Sequence, residues 1–325
     1  MKIAIYGQFS NRDTIDVLKV VMLLMEPLNF EVSLENELYQ NTQELHAGNP
    51  KVSAFHSYED IDSKCNLFIS IGGDGSMLRA MTFIRDLGIP IVGFNTGRLG
   101  FLATLQKEDV KNSLSEIIKG NYRIEERALL TVKTTPSYKE IEAMPLALNE
   151  VSVGRKNTTS MINIDTHLDD EYLNNYWADG LIIATPTGST GYSLSSGGPV
   201  MAPSSEALVI TPIAPHNLNA RPLVIPNHTS IKLRVIGREE DHLLSLDSRI
   251  ITVAMDTEIT IKKGRYANFL DTGTGKTYLS AFDVNVFKPK KFLFLVHRLT
   301  IAKKAMETYK AMYGDQFTMG LYSGA

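Results

Sequence analysis

Residues 67–78 read LFISIGGDGSML, and the chemistry starts at Asp74, set among Gly72, Gly73 and Gly75. The apolar run before the glycines reads as a buried strand, and 76–87 has the polar start and apolar spacing of a helix. A strand, a glycine turn and a helix N-terminus offer unpaired N–H groups and the positive end of a helix dipole, with room for a phosphate to approach the backbone. A carboxylate in that place repels phosphates unless a metal ion or a proton-transfer task justifies its charge. The plainer alternative is a tight turn with Asp74 as helix cap.

Four further segments carry polar chemistry. NTGRLGFL, residues 95–102, follows the strand-like IPIVGF and places a second glycine turn at the same carboxyl edge, where open α/β sheets bind ligands. Asn149 and Glu150 end the apolar run PLAL. Their side chains suit ribose hydroxyls or a base edge, and such a pair equally marks a strand-end turn. The run ADGLIIATPTGSTGYSLSSGGP, residues 178–199, is the densest stretch of hydroxyls and glycines, with Tyr192 able to stack on a base. A surface loop is the alternative there. In TPIAPHNLNARPLVIP the prolines fix a turn, and His216 and Arg221 stand as site residues or rim contacts.

The elements that must position these residues follow from the patterning. From Lys2 to about Leu105, IAIYG, FEVSLE, LFISI and IPIVGFN alternate with helical stretches, which predicts parallel strands with crossover helices. Helices are expected over 14–28, 76–87 and 107–119. From about Arg123, short strand-like segments separated by Gly, Pro, Asn or Asp predict a second, mostly β domain, and SIKLRVIG alternates strictly. The 325 residues, 43% hydrophobic and 21% charged, bury a substantial core with ease. A net charge of -3 and a pI near 6.2 give no global basic field of the kind that binds nucleic acid. Cys65 is the single cysteine, so no internal disulfide and no thiolate metal site is expected, and a reducing cytoplasm is the expected compartment. The N-terminus lacks a signal-peptide core and no run reaches the length of a membrane span, so no membrane partner is expected.

Taken together, GGDGSML, NTGRLGFL, LNE and DGLIIATPTGSTGYSLSSGGP, in that order, resemble the NAD kinases over about residues 2–263. The resemblance implies an α/β N-terminal domain over 1–122 and a β-rich NAD-binding domain over 123–263. The active site would lie between them, in a homo-oligomer, dimer or tetramer. It implies NAD as substrate and ATP or another phosphoryl donor with Mg²⁺ or another divalent cation, and no metal held by protein ligands. By residue, Asp74 matches the catalytic aspartate that takes the proton from the ribose 2′-hydroxyl, and Gly72, Gly73 and Gly75 leave room for phosphates. Asn149 and Glu150 match the pair that holds the adenosine, and Asp179 the contact on the nicotinamide half. Thr187, Thr190, Gly191, Tyr192 and Ser195 fall in the segment surrounding NAD, with Tyr192 the candidate for adenine stacking. Ser76 stands where the family usually has threonine, which keeps the hydroxyl. GGDG loops also occur in sugar and lipid kinases, but neither explains LNE followed by TPTGSTGY. A non-catalytic NAD-binding protein is the second reading.

Residues 264–325 read differently. TGTGKT at 272–277 followed by FLFLVHR resembles the first nucleotide-binding segment of a superfamily-two helicase, with Gly275, Lys276 and Thr277 of P-loop type. Leu270 departs from the small residue that should lead that loop, and no acidic Mg²⁺ box or arginine finger follows. The segment is therefore expected to be a non-functional fragment, a fusion or assembly artefact or a truncated fusion rather than an accidental motif, and no nucleic-acid partner is expected from it.

Overall fold

A computed structural model describes residues 1–8, 12–97, 100–157, 160–217 and 219–271, together with 306 and 310. The first half runs β1 (Lys2–Gly7), α1 (Arg12–Met25), β2 (Glu31–Glu35), α2 (Asn36–Asn41), β3 (Val52–Phe55), β4 (Leu67–Ile71), α3 (Asp74–Ile84), β5 (Ile91–Asn95), β6 (Leu105–Gln106) and α4 (Val110–Ile118). β4 and β5 are buried at every position, as strands must be when helices cover both faces of a parallel sheet. The strands pair in parallel, as the alternation predicts, in the order β3-β2-β1-β4-β5, with β3 an additional strand that the patterning does not mark. α1 buries Thr14, Val17, Leu18, Val21 and Met25, a single helical stripe. It closes before the expected Leu28, because Pro27 follows and Asn29 turns the chain at φ 60. α3 starts at Asp74, two residues earlier than the spacing suggests, and α4 is preceded by a 3-10 turn at Lys107–Asp109.

The second half runs β7 (Arg123–Thr135), α5 (Lys139–Ala143), β8 (Leu146–Ala147), β9 (Glu150–Arg155), β10 (Ile162–Leu168), β11 (Glu171–Ala178), β12 (Gly180–Ala184), α6 (Tyr192–Ser195), β13 (Ala207–Ile213), β14 (Leu223–Pro226), β15 (Ile231–Ile236), β16 (Asp241–Leu246), β17 (Arg249–Ala254) and β18 (Glu258–Asp271). Six of these strands form the antiparallel sheet β14-β13-β12-β9-β16-β17. The others join the parallel sheet through β18, whose Phe269 lies opposite Ile91 of β5, so one twelve-stranded sheet spans both halves. β18 also pairs with β7 from Glu258↔Thr135 to Asp271↔Arg123, with a bulge between Lys263 and Tyr266. The boundary expected at Lys263 therefore falls inside a strand. Its last residues close the joint with β5, a non-local pairing that sequence patterning does not display.

One apolar core fills the β-rich half around Val151, Val153, Leu181, Ile183 and Leu244. Beneath α3, a second joins Phe68, Met77, Ala80 and Ile91 to Leu129 of β7 and Phe269 of β18. Each such large side chain contributes about 1.5–3 kcal/mol through burial, so the two halves are welded along this seam. Among the described residues no helix is long and apolar enough to cross a membrane. The P-loop-like segment at 272–277 lies outside the described residues.

Candidate active site

Asp74 does not cap its helix. Gly73 is the N-cap and makes no side-chain cap bond, and the Asp74 carboxylate turns instead to the loop after β5. There Oδ2 accepts the N–H of Phe101 at 2.8 Å, and Oδ1 accepts those of Leu102 at 2.9 Å and Ala103 at 3.1 Å. A carboxylate offers about four acceptor positions, so among the described residues one remains, on Oδ2. Gly100 permits the approach, since a Cβ there would stand 2.1 Å from Asp74 Oδ1. Both glycine turns at the sheet edge are thus tied to each other through one side chain.

The three glycines of the first turn have different tasks. Gly72 sits at φ +143, and a Cβ on it would meet Ser76 Oγ at 2.1 Å, so the turn itself requires glycine. At Gly73 and Gly75 nothing lies within 4 Å of where a Cβ would be. Open space at the start of α3, where the first amides have no intrahelical acceptor, suits phosphate oxygens.

The second constellation gathers around the start of β9. Asn149 Oδ1, Glu150 Oε2 and Thr187 Oγ1 are buried with no hydrogen-bond partner among the described residues. Unpaired buried polar atoms are costly unless something completes them, and a ligand is the economical explanation here. Gly191 touches Glu150 Oε2 at 3.1 Å from its Cβ position, and a Cβ on Gly188 would stand 2.0 Å from the Asn149 carbonyl. Burial first, and then the nearby Asp247 charge, push the Glu150 carboxyl up to about 7. Thr190 donates its hydroxyl to the Thr187 carbonyl at 3.3 Å. Tyr192 opens α6 with its side of the residue 48% exposed, free to stack, and Ser195 is exposed at the end of the same short helix.

Asp179 is not part of that cluster. It precedes β12, whose Gly180 faces Gly154 while Ala184 at the other end faces Glu150, so the two carboxylates are separated along the strand by about 16 Å. Asp179 Oδ2 pairs with Arg155 at 2.9 Å, and its Oδ1 is buried with no hydrogen-bond partner among the described residues. His216 belongs to this end, with its ring centroid 4.1 Å from that of Trp177 and its N–H donated to the Trp177 carbonyl. Arg221 donates to the neighbouring Ala220 carbonyl, as a rim residue does.

A cavity of about 330 Å³ is lined by Gly100, Phe101 and Leu102 of the loop that Asp74 holds, by Thr187 and Thr190, and by Arg127. Its size suits a small-molecule site. A wider cleft of about 660 Å³ lies between the end of α1 and residues 45–52, but it touches neither constellation.

Sequence reasoning missed Asp247, on the turn between β16 and β17. Its carboxylate accepts the N–H groups of Leu148 at 2.9 Å, Asn149 at 2.7 Å and Glu150 at 3.2 Å. The signal available was a lone Asp-Ser between two apolar runs, DHLLSL and RIITVA. Nothing in that pattern names its partners about a hundred residues away.

A parallel α/β sheet that presents a carboxylate beside an open helix N-terminus, joined to a β-rich half that holds buried polar groups with no partner among the described residues, has the parts that a nucleotide-binding phosphotransferase needs. The sequence matches the ATP-NAD kinase N-terminal domain over residues 11–122 and the ATP-NAD kinase C-terminal domain over 148–277. The NAD kinase of Christiangramia forsetii is 52% identical over 272 residues, covering 83% of this chain and 92% of that protein. The NAD kinase of Flavobacterium psychrophilum is 50% identical over 263 residues, 81% of this chain and 90% of the relative. The chain therefore belongs to the NAD kinase family, and it is an enzyme, a transferase. In fold it is similar to yeast NADH kinase complexed with NADH, with a TM-score of 0.76 at 23% identity over 91% of this chain and 90% of that one. An NAD kinase from Archaeoglobus fulgidus in complex with ATP matches with a TM-score of 0.66 at 26% identity, over 84% and 94%. Residues 251–325 match the res subunit of type III restriction enzymes, which accords with the helicase-like reading of the C-terminal segment. The ATP-NAD kinase match extends to residue 277, beyond the limit at 263 that the motifs suggested.

Proposed function

We propose that the chain transfers the γ-phosphoryl group of ATP to the 2′-hydroxyl of the adenosine ribose of NAD, giving NADP and ADP. The observation that carries this reading is the Asp74 carboxylate, fixed by the N–H donors of Phe101, Leu102 and Ala103 yet left, among the described residues, with one acceptor position on Oδ2, while Phe101 and Leu102 line a cavity that Thr187 also lines. Asp74 takes the proton as the ribose oxygen bonds to phosphorus and the bond to the ADP oxygen breaks. The amides around Gly73 and Gly75 receive donor phosphates. Glu150 and Asn149 hold the adenosine, with Glu150 accepting from ribose hydroxyls, Tyr192 stacks on adenine, and Asp179 serves the nicotinamide half.

A divalent cation, Mg²⁺ or another, would arrive on the phosphates of ATP. That cation supplies charge neutralisation to the phosphates. The enzyme acts in the cytoplasm as a homo-oligomer, dimer or tetramer. Incubation with NAD, ATP and Mg²⁺ tests the reading: ATP-dependent NADP formation supports it, and NAD binding without NADP formation would convert the chain into a nucleotide binder.

A further inference from the structure

The backbone of residues 148–150 is held completely, and by two residues. Asp247 accepts all three N–H groups, at 2.9, 2.7 and 3.2 Å. Of the three carbonyls, that of Leu148 accepts the Thr185 hydroxyl at 2.6 Å, that of Asn149 the Thr185 N–H at 2.9 Å, and that of Glu150 the Asp247 N–H at 2.9 Å. Six backbone polar groups are thus satisfied without calling on the Asn149 or Glu150 side chains, whose Oδ1 and Oε2 atoms stay buried and unpaired. Asp247 adopts φ 52 to do this, a conformation that asparagine and aspartate tolerate better than most residues.

We propose that Asp247 is a positioning residue for the acceptor nucleoside: its carboxylate clamps residues 148–150 so that Asn149 and Glu150 keep their side-chain oxygens for the ligand. The inference rests on the proposed adenosine role of that pair. The arrangement repeats in the first half of the chain, where Asp74 holds the three amides of residues 101–103.

The charged groups around Glu150 give the clamp a readout in the pH dependence of binding, because loss of the Asp247 charge favours ionised Glu150. Asp247 faces it from the turn between β16 and β17. Behind Asp247 stands Arg249, which donates to the Met144 carbonyl at 2.7 Å and to that of Leu146, and Arg85 at the end of α3 faces Arg249. Asp247 itself is pushed up by burial, and its three N–H donors oppose that shift. Removing its charge releases Glu150 from the repulsion and leaves only the effect of burial.

The test compares the full chain with Asp247→Asn and Asp247→Ser, following NAD binding by calorimetry across pH, steady-state KM for NAD and ATP, and kcat. The expected result is a KM for NAD raised at least tenfold with the KM for ATP changed less than twofold, and a pH midpoint of NAD affinity that moves down from near 7. Folded variants with unchanged NAD affinity and an unchanged midpoint overturn the assignment. Where neither variant folds, the unsubstituted chain decides: slow hydrogen exchange at amides 148–150 and a Glu150 carboxyl titrating near 7 support it, and fast exchange or an ordinary glutamate titration overturns it. A parent chain that binds no NAD overturns the functional reading as well, which separates the two failures.

Discussion

Three N–H donors and one remaining acceptor position give the Asp74 carboxylate two roles that substitution separates. In Asp74→Asn one amide nitrogen must face N–H donors, so the loop of residues 101–103 loosens at a cost of about 1–3 kcal/mol. Loss of the base lowers kcat by roughly 10²–10⁴-fold, while calorimetric NAD affinity stays within severalfold; a thermal melt reads the first effect and NADP formation the second. Glu150 carries a pH prediction. Its folded value near 7 lies above the ordinary glutamate value of 4.5, so in the free enzyme its contribution to stability is full below 4.5 and is lost as pH rises through 7. A ribose hydroxyl donates to the ionised form, so NAD affinity rises by about tenfold between about pH 6 and 8, and Glu150→Gln removes that dependence. Asp74 and Glu150 were legible in the sequence because their neighbours, glycines in one case and an apolar run in the other, mark them. Asp247 was not, because its work depends on the approach of a turn to a distant strand.

At the scale of elements, the glycine turn before α3 divides by task. Gly75→Ala places a methyl in open space on a helix and is expected to leave stability unchanged or raise it by about 0.5 kcal/mol. The same methyl occupies the approach of donor phosphates, so the KM for ATP rises; a KM equal to that of the parent would remove Gly75 from the phosphate site. Gly188→Ala behaves in the opposite way. Its Cβ meets the Asn149 backbone at 2.0 Å, which cannot yield like a side-chain tip, so the substitution destabilises by about 1–3 kcal/mol and raises the KM for NAD. Four of the parallel strands were readable because apolar runs such as LFISI sit between clear breakers, whereas the four-residue β3 and the short α2 were not. β11, β16 and β17 were not, because EYLNNYWA lies at a sheet edge with a polar pattern and the hairpin at 241–254 has a turn of two residues with little punctuation.

At the scale of the whole molecule, β18 binds the two halves into one sheet and fixes the walls of the cavity relative to each other. The motifs on each side were visible in the sequence, but this joint was not, since it depends on a strand that continues through the apparent boundary at Lys263. The fold also stores an acid sensitivity. His242 in β16 is fully buried with neither ring nitrogen bonded among the described residues, and burial lowers its value from 6.5 to about 4. The unfolded chain then binds the extra proton between these values, so the stability this neutral histidine permits is present above 6.5 and is lost as pH falls through 4, by about 3 kcal/mol in all. Denaturant melts across that range should show the slope in the parent and its loss in His242→Leu.

The central claim is that Asp74 moves a proton in phosphoryl transfer to NAD. Its most direct test is NADP formation by the full chain and by Asp74→Asn, with NAD, ATP and Mg²⁺ at saturation and NAD binding measured on both. The account predicts ATP-dependent NADP in the parent and a loss of at least about 10²-fold in the variant with NAD still bound. Equal turnover in the two proteins would contradict it.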